Sequence, residues 1–242
     1  MTNYYVEFMK KHIFAYLNPP ITSKVLPMYW YLGYNVYSKG VLEVGGVILA
    51  SWIVPIHENY DGLDYWCTCM FGEDNPSDPY LIPTDRALLD RRRKMRLAPV
   101  LEKAVKAGNI IIPEEFEVGF DHVTNLIAGL GMEDDPNYYL TRGYPGSVNT
   151  YVFNSISEPA NNSYPPTNEE TFIGYMHLSM YYNQARLAEV YPADKYPFLT
   201  EKFAFVQKYL KDKYQIDLEA IANGPEDWDL PLPPIPETPD EE

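Results

Sequence analysis

The longest run of apolar positions lies between Lys24 and His57, read as K-VLPMYWYLGYNVYS-K-GVLEVGGVILASWIVPI-H, and Glu43 is the one charge in residues 40–56. As a helix, this stretch rises roughly 26 Å at ~1.5 Å per residue, close to a hydrocarbon core of ~30 Å. Lys39 and His57 bracket it, and the aromatic residues before it resemble an interfacial belt, with Trp30 and Tyr34 at headgroup depth. The pattern predicts one membrane-spanning helix near 40–57; a buried helix of a soluble protein is the alternative. Gly46 and Ala50, four apart, form a flat strip on which a neighbouring helix can pack. Lys39 and Glu43 share a face and can pair near the interface.

Elsewhere the apolar spacing is helical or absent. Residues 2–18 read as a short amphipathic helix stopped by Asn18-Pro19-Pro20. Pro83-Thr84-Asp85 opens a helix whose run Arg91, Arg92, Arg93, Lys94 and Arg96 is the one strongly basic cluster, suited to anionic lipid headgroups or an acidic neighbour, or equally to a solvated face paired with Asp90 and Glu102. Pro99 is placed to start a further helix ended by Gly108, and a helix from Pro113 to about Leu130 follows. Thr167 and Glu170 form a capping box for a helix reaching about Val190, and Thr200 caps one to about Tyr214. Between these lie irregular stretches rich in Tyr and Pro. The predicted fold is therefore mainly α: a single transmembrane helix followed by a helical extramembrane region. Its parts are an amphipathic segment (1–23), the aromatic approach and span (24–57), an acidic helical region (58–223) and a Pro-rich acidic arm (224–242).

Charge sharpens this picture. The chain carries a net −15, yet residues 1–57 hold four lysines against two acids. From Gly40 to Asp85 there is no Lys or Arg, so the positive-inside rule puts the N-terminus on the cytoplasmic or matrix-like side. So acidic a surface argues against a nucleic-acid partner. Tyrosine and proline, 22 of each, suit aromatic contacts with polar tips, made to partner subunits or membrane lipids.

Candidate chemistry is sparse. Cys67 and Cys69 form a lone Cys-Thr-Cys with no second ligand pair, read as two partly buried thiols. The four histidines, at 12, 57, 122 and 177, are dispersed, and there is no HExxH, GxSxG or Gly-rich phosphate loop. No catalytic residue, cofactor or metal site is expected, and the expected class is non-enzymatic.

The order of Tyr29, Tyr31, Tyr34, Tyr37, Lys39-Gly40 and Gly45-Gly46 resembles the membrane segment of subunit f of mitochondrial ATP synthases. The resemblance covers about thirty residues. It implies an accessory subunit of an energy-converting complex in the mitochondrial inner membrane, acting in assembly and in lipid and subunit contacts. The N-terminus would be in the matrix and the C-terminal region in the intermembrane space. A phage connector or tail protein, an accessory subunit of a respiratory-chain complex and a soluble binding module are the other readings.

Overall fold

Thr167 closes the capping box that opens the central helix. Its hydroxyl accepts from the Glu170 backbone N–H, and the Glu170 carboxylate accepts from the Thr167 backbone N–H at 2.8 Å. The computed structural model describes residues 2–33, 37–55, 60–61, 64–69 and 85–230. From the box, helix α5 (Asn168–Tyr181) runs with Phe172, Tyr175, Met176, Leu178 and Met180 fully buried, apolar round most of its girth as a core helix must be. It packs against α3 (Arg86–Lys106), α7 (Pro197–Tyr214) and α8 (Leu218–Asn223). A short helix α6 (Gln184–Val190) follows α5 after a break at Tyr182–Asn183, so the expected single helix to Val190 is two, with Asn183 capping the second.

Helix α3 is capped by Asp85, whose side chain accepts from the Leu88 N–H at 3.0 Å. It continues through Pro99 instead of restarting there. The helix expected over 113–130 shrinks to α4 (Glu114–Glu117). Gly119 takes φ +94° beneath the Phe198 ring, so the chain leaves helical geometry there.

The N-terminal segment begins with α1 (Thr2–Phe8), continued by a π-helical turn over Met9–Ile13, and burying Tyr4, Tyr5, Phe8 and Ile13. Asn18 then caps α2 (Pro19–Thr22). Residues 224–230 return across this segment. Lys11 bonds the Asp227 carboxylate and the Asp229 carbonyl, both at 2.6 Å, and the Trp228 ring sits edge-on to His12 with Arg86 and Arg93 against it. Most of the C-terminal arm expected over 224–242 lies outside the described residues.

The expected membrane helix is a β-hairpin. Strand β2 (Tyr37–Val44) pairs antiparallel with β3 (Val47–Pro55) across Gly45-Gly46, at φ +60° and +81°. Two adjacent positive φ angles make the turn type whose twist suits a hairpin, and glycines adopt it without strain. Flanking valines, isoleucines and Trp52 favour strand over helix. Among the described residues, no helix is long and apolar enough to cross a membrane. The mainly α fold with one span is therefore replaced by a mixed one, 45% helix and 15% strand. The inner-membrane location with matrix and intermembrane-space sides falls with the span it rested on.

Among the described residues there are two further small sheets. Strand β1 (Tyr29–Gly33) runs parallel to β5 (Tyr65–Cys69), which also pairs with β4 (Tyr60–Asp61). Register sets Trp30 beside Trp66, rings 5.2 Å apart and near perpendicular, with Lys103 of α3 over Trp66. Strands β6 (Ser147–Val148) and β7 (Ile156–Ser157) form a short ribbon against α5.

Candidate functional site

The residues singled out from the sequence do not converge. Gly46 and Ala50 lie in the hairpin turn and on β3, so they form no helix-packing strip. Trp30 is half-buried between the Phe14 and Trp66 rings, and Tyr34 lies outside the described residues. Lys39 is exposed on β2. In the basic run of α3, Arg91 is half-buried, while Arg92 and Arg93 are fully buried and unavailable to a lipid surface. Arg93 ion-pairs with Asp90 and donates from Nε to the Ile221 carbonyl at 2.9 Å. Burial lowers its pKa, with Asp90 opposing.

A groove forms instead along the face of α5 that carries Glu170, Gly174 and His177, spaced four and three residues apart. It has two lobes, of about 460 and 500 Å³, which share Ser147, Glu170 and Gly174 as lining. The first lobe is walled by Tyr144, Pro145, Pro159, Tyr164 and Pro166, with Glu158 at its rim. The second lies between α5 and α3 and is lined by Glu102, Lys106, Glu169 and His177.

Local hydrogen bonds fix the walls. Tyr175 donates to the Gly143 carbonyl, buried, at 2.5 Å, and Tyr144 donates to the Asp121 carbonyl at 2.8 Å. Arg142 reaches back to the Thr124 carbonyl at 2.7 Å. Gly174 leaves room for the wall: a Cβ there would stand 3.3 Å from Pro145 Cγ.

The electrostatics divide along the groove. Glu102 accepts from Lys106 at 2.6 Å, one helical turn on. Hydrogen bonds from the Thr167 backbone and hydroxyl hold the Glu170 carboxyl below the usual carboxylate range. His177 is 8% exposed, and its Nε2 has no hydrogen-bond partner among the described residues. The nearest charge is Glu102 Oε2, at 3.9 Å. Burial pushes the His177 imidazole down to about 4, Glu102 opposing and Lys106 adding to the shift. At neutral pH the second lobe therefore sets a neutral, buried imidazole among Glu102, Glu169, Glu170 and Lys106. The carboxylates of that set can accept hydrogen bonds and attract a positively charged side chain.

No protein-family model matches the chain, and no curated protein does. Among solved structures it is similar to one from Bacteroides caccae described as a "putative zinc-binding metallo-peptidase", at 15% identity and TM-score 0.46, covering 92% of this chain and 74% of that one. The expectation of an accessory subunit of an inner-membrane complex falls with the span it was built on, since among the described residues no helix is long and apolar enough to cross a membrane. A likeness at that score supports no argument about this chain's own chemistry. Among the described residues, no group of three or more His, Cys, Asp or Glu is placed to hold a metal ion.

Proposed function

We propose that this chain binds an extended, positively charged peptide segment in the groove along α5. The observation that carries the reading is the continuity of the two lobes through Ser147, Glu170 and Gly174. One end offers Tyr and Pro surfaces on which an extended, proline-containing backbone lies flat. The other offers Glu102, Glu169 and Glu170 against the single Lys106, so a Lys or Arg side chain finds excess negative charge there. His177 lines the same end of the groove with its Nε2 buried beneath the surface.

Titration calorimetry with a Lys-Pro repeat peptide, and with a Glu-Pro repeat of equal length, tests this. The basic peptide should bind, and Glu158→Lys with Glu169→Lys together should weaken it about tenfold, a loss of ~1.4 kcal/mol. Glu226→Lys, away from the groove, should leave binding unchanged. Equal binding of both peptides, or of neither, sinks the proposal.

A further inference from the structure

The β2–β3 hairpin is an unusual surface for a chain with so large a buried core. Residues 41–52 are exposed along both strands, and Val41, Leu42, Val44, Val47, Ile48 and Leu49 are each 43–61% exposed. A two-stranded ribbon in water is marginal by itself, and both of its outer edges lack a neighbouring strand among the described residues. The two edges are not equivalent. Strand β3 carries the irregularity, since the register passes from Ala50 opposite Leu42 to Ile48 opposite Glu43 and skips Leu49, and it ends in Pro55. Bulges and prolines are the usual means of blunting an edge. Strand β2 has neither.

The pleat decides which groups β2 presents. In a two-residue hairpin the pair flanking the turn, Val44 and Val47, bond to each other, and the backbone then alternates inward and outward. Lys39, Val41 and Glu43 therefore turn their N–H and C=O groups to the free edge. Their side chains share one face, away from the face on which the Trp52 ring covers Gly40. Neither Lys39 nor Glu43 has an ion-pair partner among the described residues.

We propose that the β2 edge pairs antiparallel with the β2 edge of a second copy of this chain, about a two-fold axis through Val41. That register places Lys39 of each copy opposite Glu43 of the other, so one interface carries two cross-strand ion pairs. It also satisfies the outward groups of all three residues, and Val41 meets its own counterpart. A sequence that places opposite charges symmetrically about one residue of a free strand is self-complementary in this one direction, as an isologous interface requires. The product is a four-stranded sheet, β3-β2-β2-β3.

Sedimentation of the full chain over a range of concentrations, with charge-swapped variants, tests the pairing. The unaltered chain should be a dimer. Lys39→Glu and Glu43→Lys should each weaken it about tenfold, because each turns two opposite pairs into like pairs. The double variant Lys39→Glu/Glu43→Lys should recover the original dissociation constant, and Val41→Pro should give a monomer. All three positions, Lys39, Val41 and Glu43, are exposed and at the free edge, and circular dichroism confirms that each variant is folded. A monomer throughout overturns the proposal. So does a dimer indifferent to the single swaps, or a double variant as weak as either single one. A monomer whose hairpin instead binds neutral phosphatidylcholine vesicles also overturns it, assigning the apolar surface to lipid.

Discussion

The Lys202 ammonium lies 2.8 Å from the backbone carbonyl of Phe116 and 5.7 Å from the centroid of the same residue's ring. It also donates to Val118 at 2.7 Å, and the Phe120, Phe198 and Phe205 rings surround it. One buried cation thus collects carbonyls left open where α4 ends and joins them to α7. Burial lowers its pKa. Lys202→Met keeps the stem but removes the donors, and should cost about 2–3 kcal/mol in urea unfolding, the penalty for stranded carbonyls and a lost charged hydrogen bond. A loss under ~0.5 kcal/mol would mean that water replaces the ammonium without cost.

Acid should destabilise this fold earlier than carboxylate protonation alone would. His12 and His177 are lowered from 6.5 to about 3 and about 4, chiefly by burial. Below pH 6.5 the unfolded chain takes up these protons and the folded chain does not. Stability contributed by the neutral forms is therefore present above pH 6.5 and declines as pH falls toward 4, each histidine adding at most ~1.4 kcal/mol per pH unit. His12 stacks on Phe8 at 4.7 Å, neither ring nitrogen has a hydrogen-bond partner among the described residues, and Arg93 and Lys11 both disfavour its charge. His12→Phe should keep the stack and flatten the acid limb of a stability–pH curve. An unchanged slope would remove His12 from the account.

Gly224 combines two constraints. Its φ is +83°, and a Cβ there would stand 2.2 Å from Trp228 Cζ2 and 2.7 Å from Arg93 Nη1. Gly224→Ala should cost roughly 2–3 kcal/mol through backbone strain and displacement of the indole. Hydrogen exchange should rise in residues 2–13, which Trp228 helps to cover. Normal protection there would show that the N-terminal segment holds without the indole.

In the hairpin turn, Gly46 has open space but φ +81°. Gly46→Leu should fray β2 and β3, at about 1 kcal/mol for a left-handed non-glycine residue. Global unfolding should stay within about 0.5 kcal/mol, as for exposed sites outside the core. Exchange measured peptide by peptide separates the two effects, and a large global loss would mean the hairpin supports the core.

Local chemistry was legible where it was local. Thr167 and Glu170 announce their helix because the box is made by neighbours in sequence. Gly45-Gly46 between β-branched runs is equally local, yet the apolar length of 40–56 suggested a span. Two adjacent glycines within it are the turn signal that decides for a hairpin. Arg92 and Arg93 read as a surface cluster because the groups around Arg93, Ile221 and Trp228, arrive from more than a hundred residues away. The groove was illegible for the same reason: Glu102, Ser147 and His177 come from three elements. The i, i+4, i+7 spacing of Glu170, Gly174 and His177 was the one trace of it in the sequence.

The return of residues 224–230 across the Met9–Ile13 turn also sets an order on biosynthesis. Lys11 meets Asp227 across 216 positions, and closing so long a loop precedes any gain from the contact. During translation Lys11 and His12 emerge early, while the indole and acid that meet them arrive only after α8. For most of synthesis the His12 ring thus lacks the indole that packs edge-on to it, and the segment is a candidate for holding by a chaperone until Trp228 clears the ribosome.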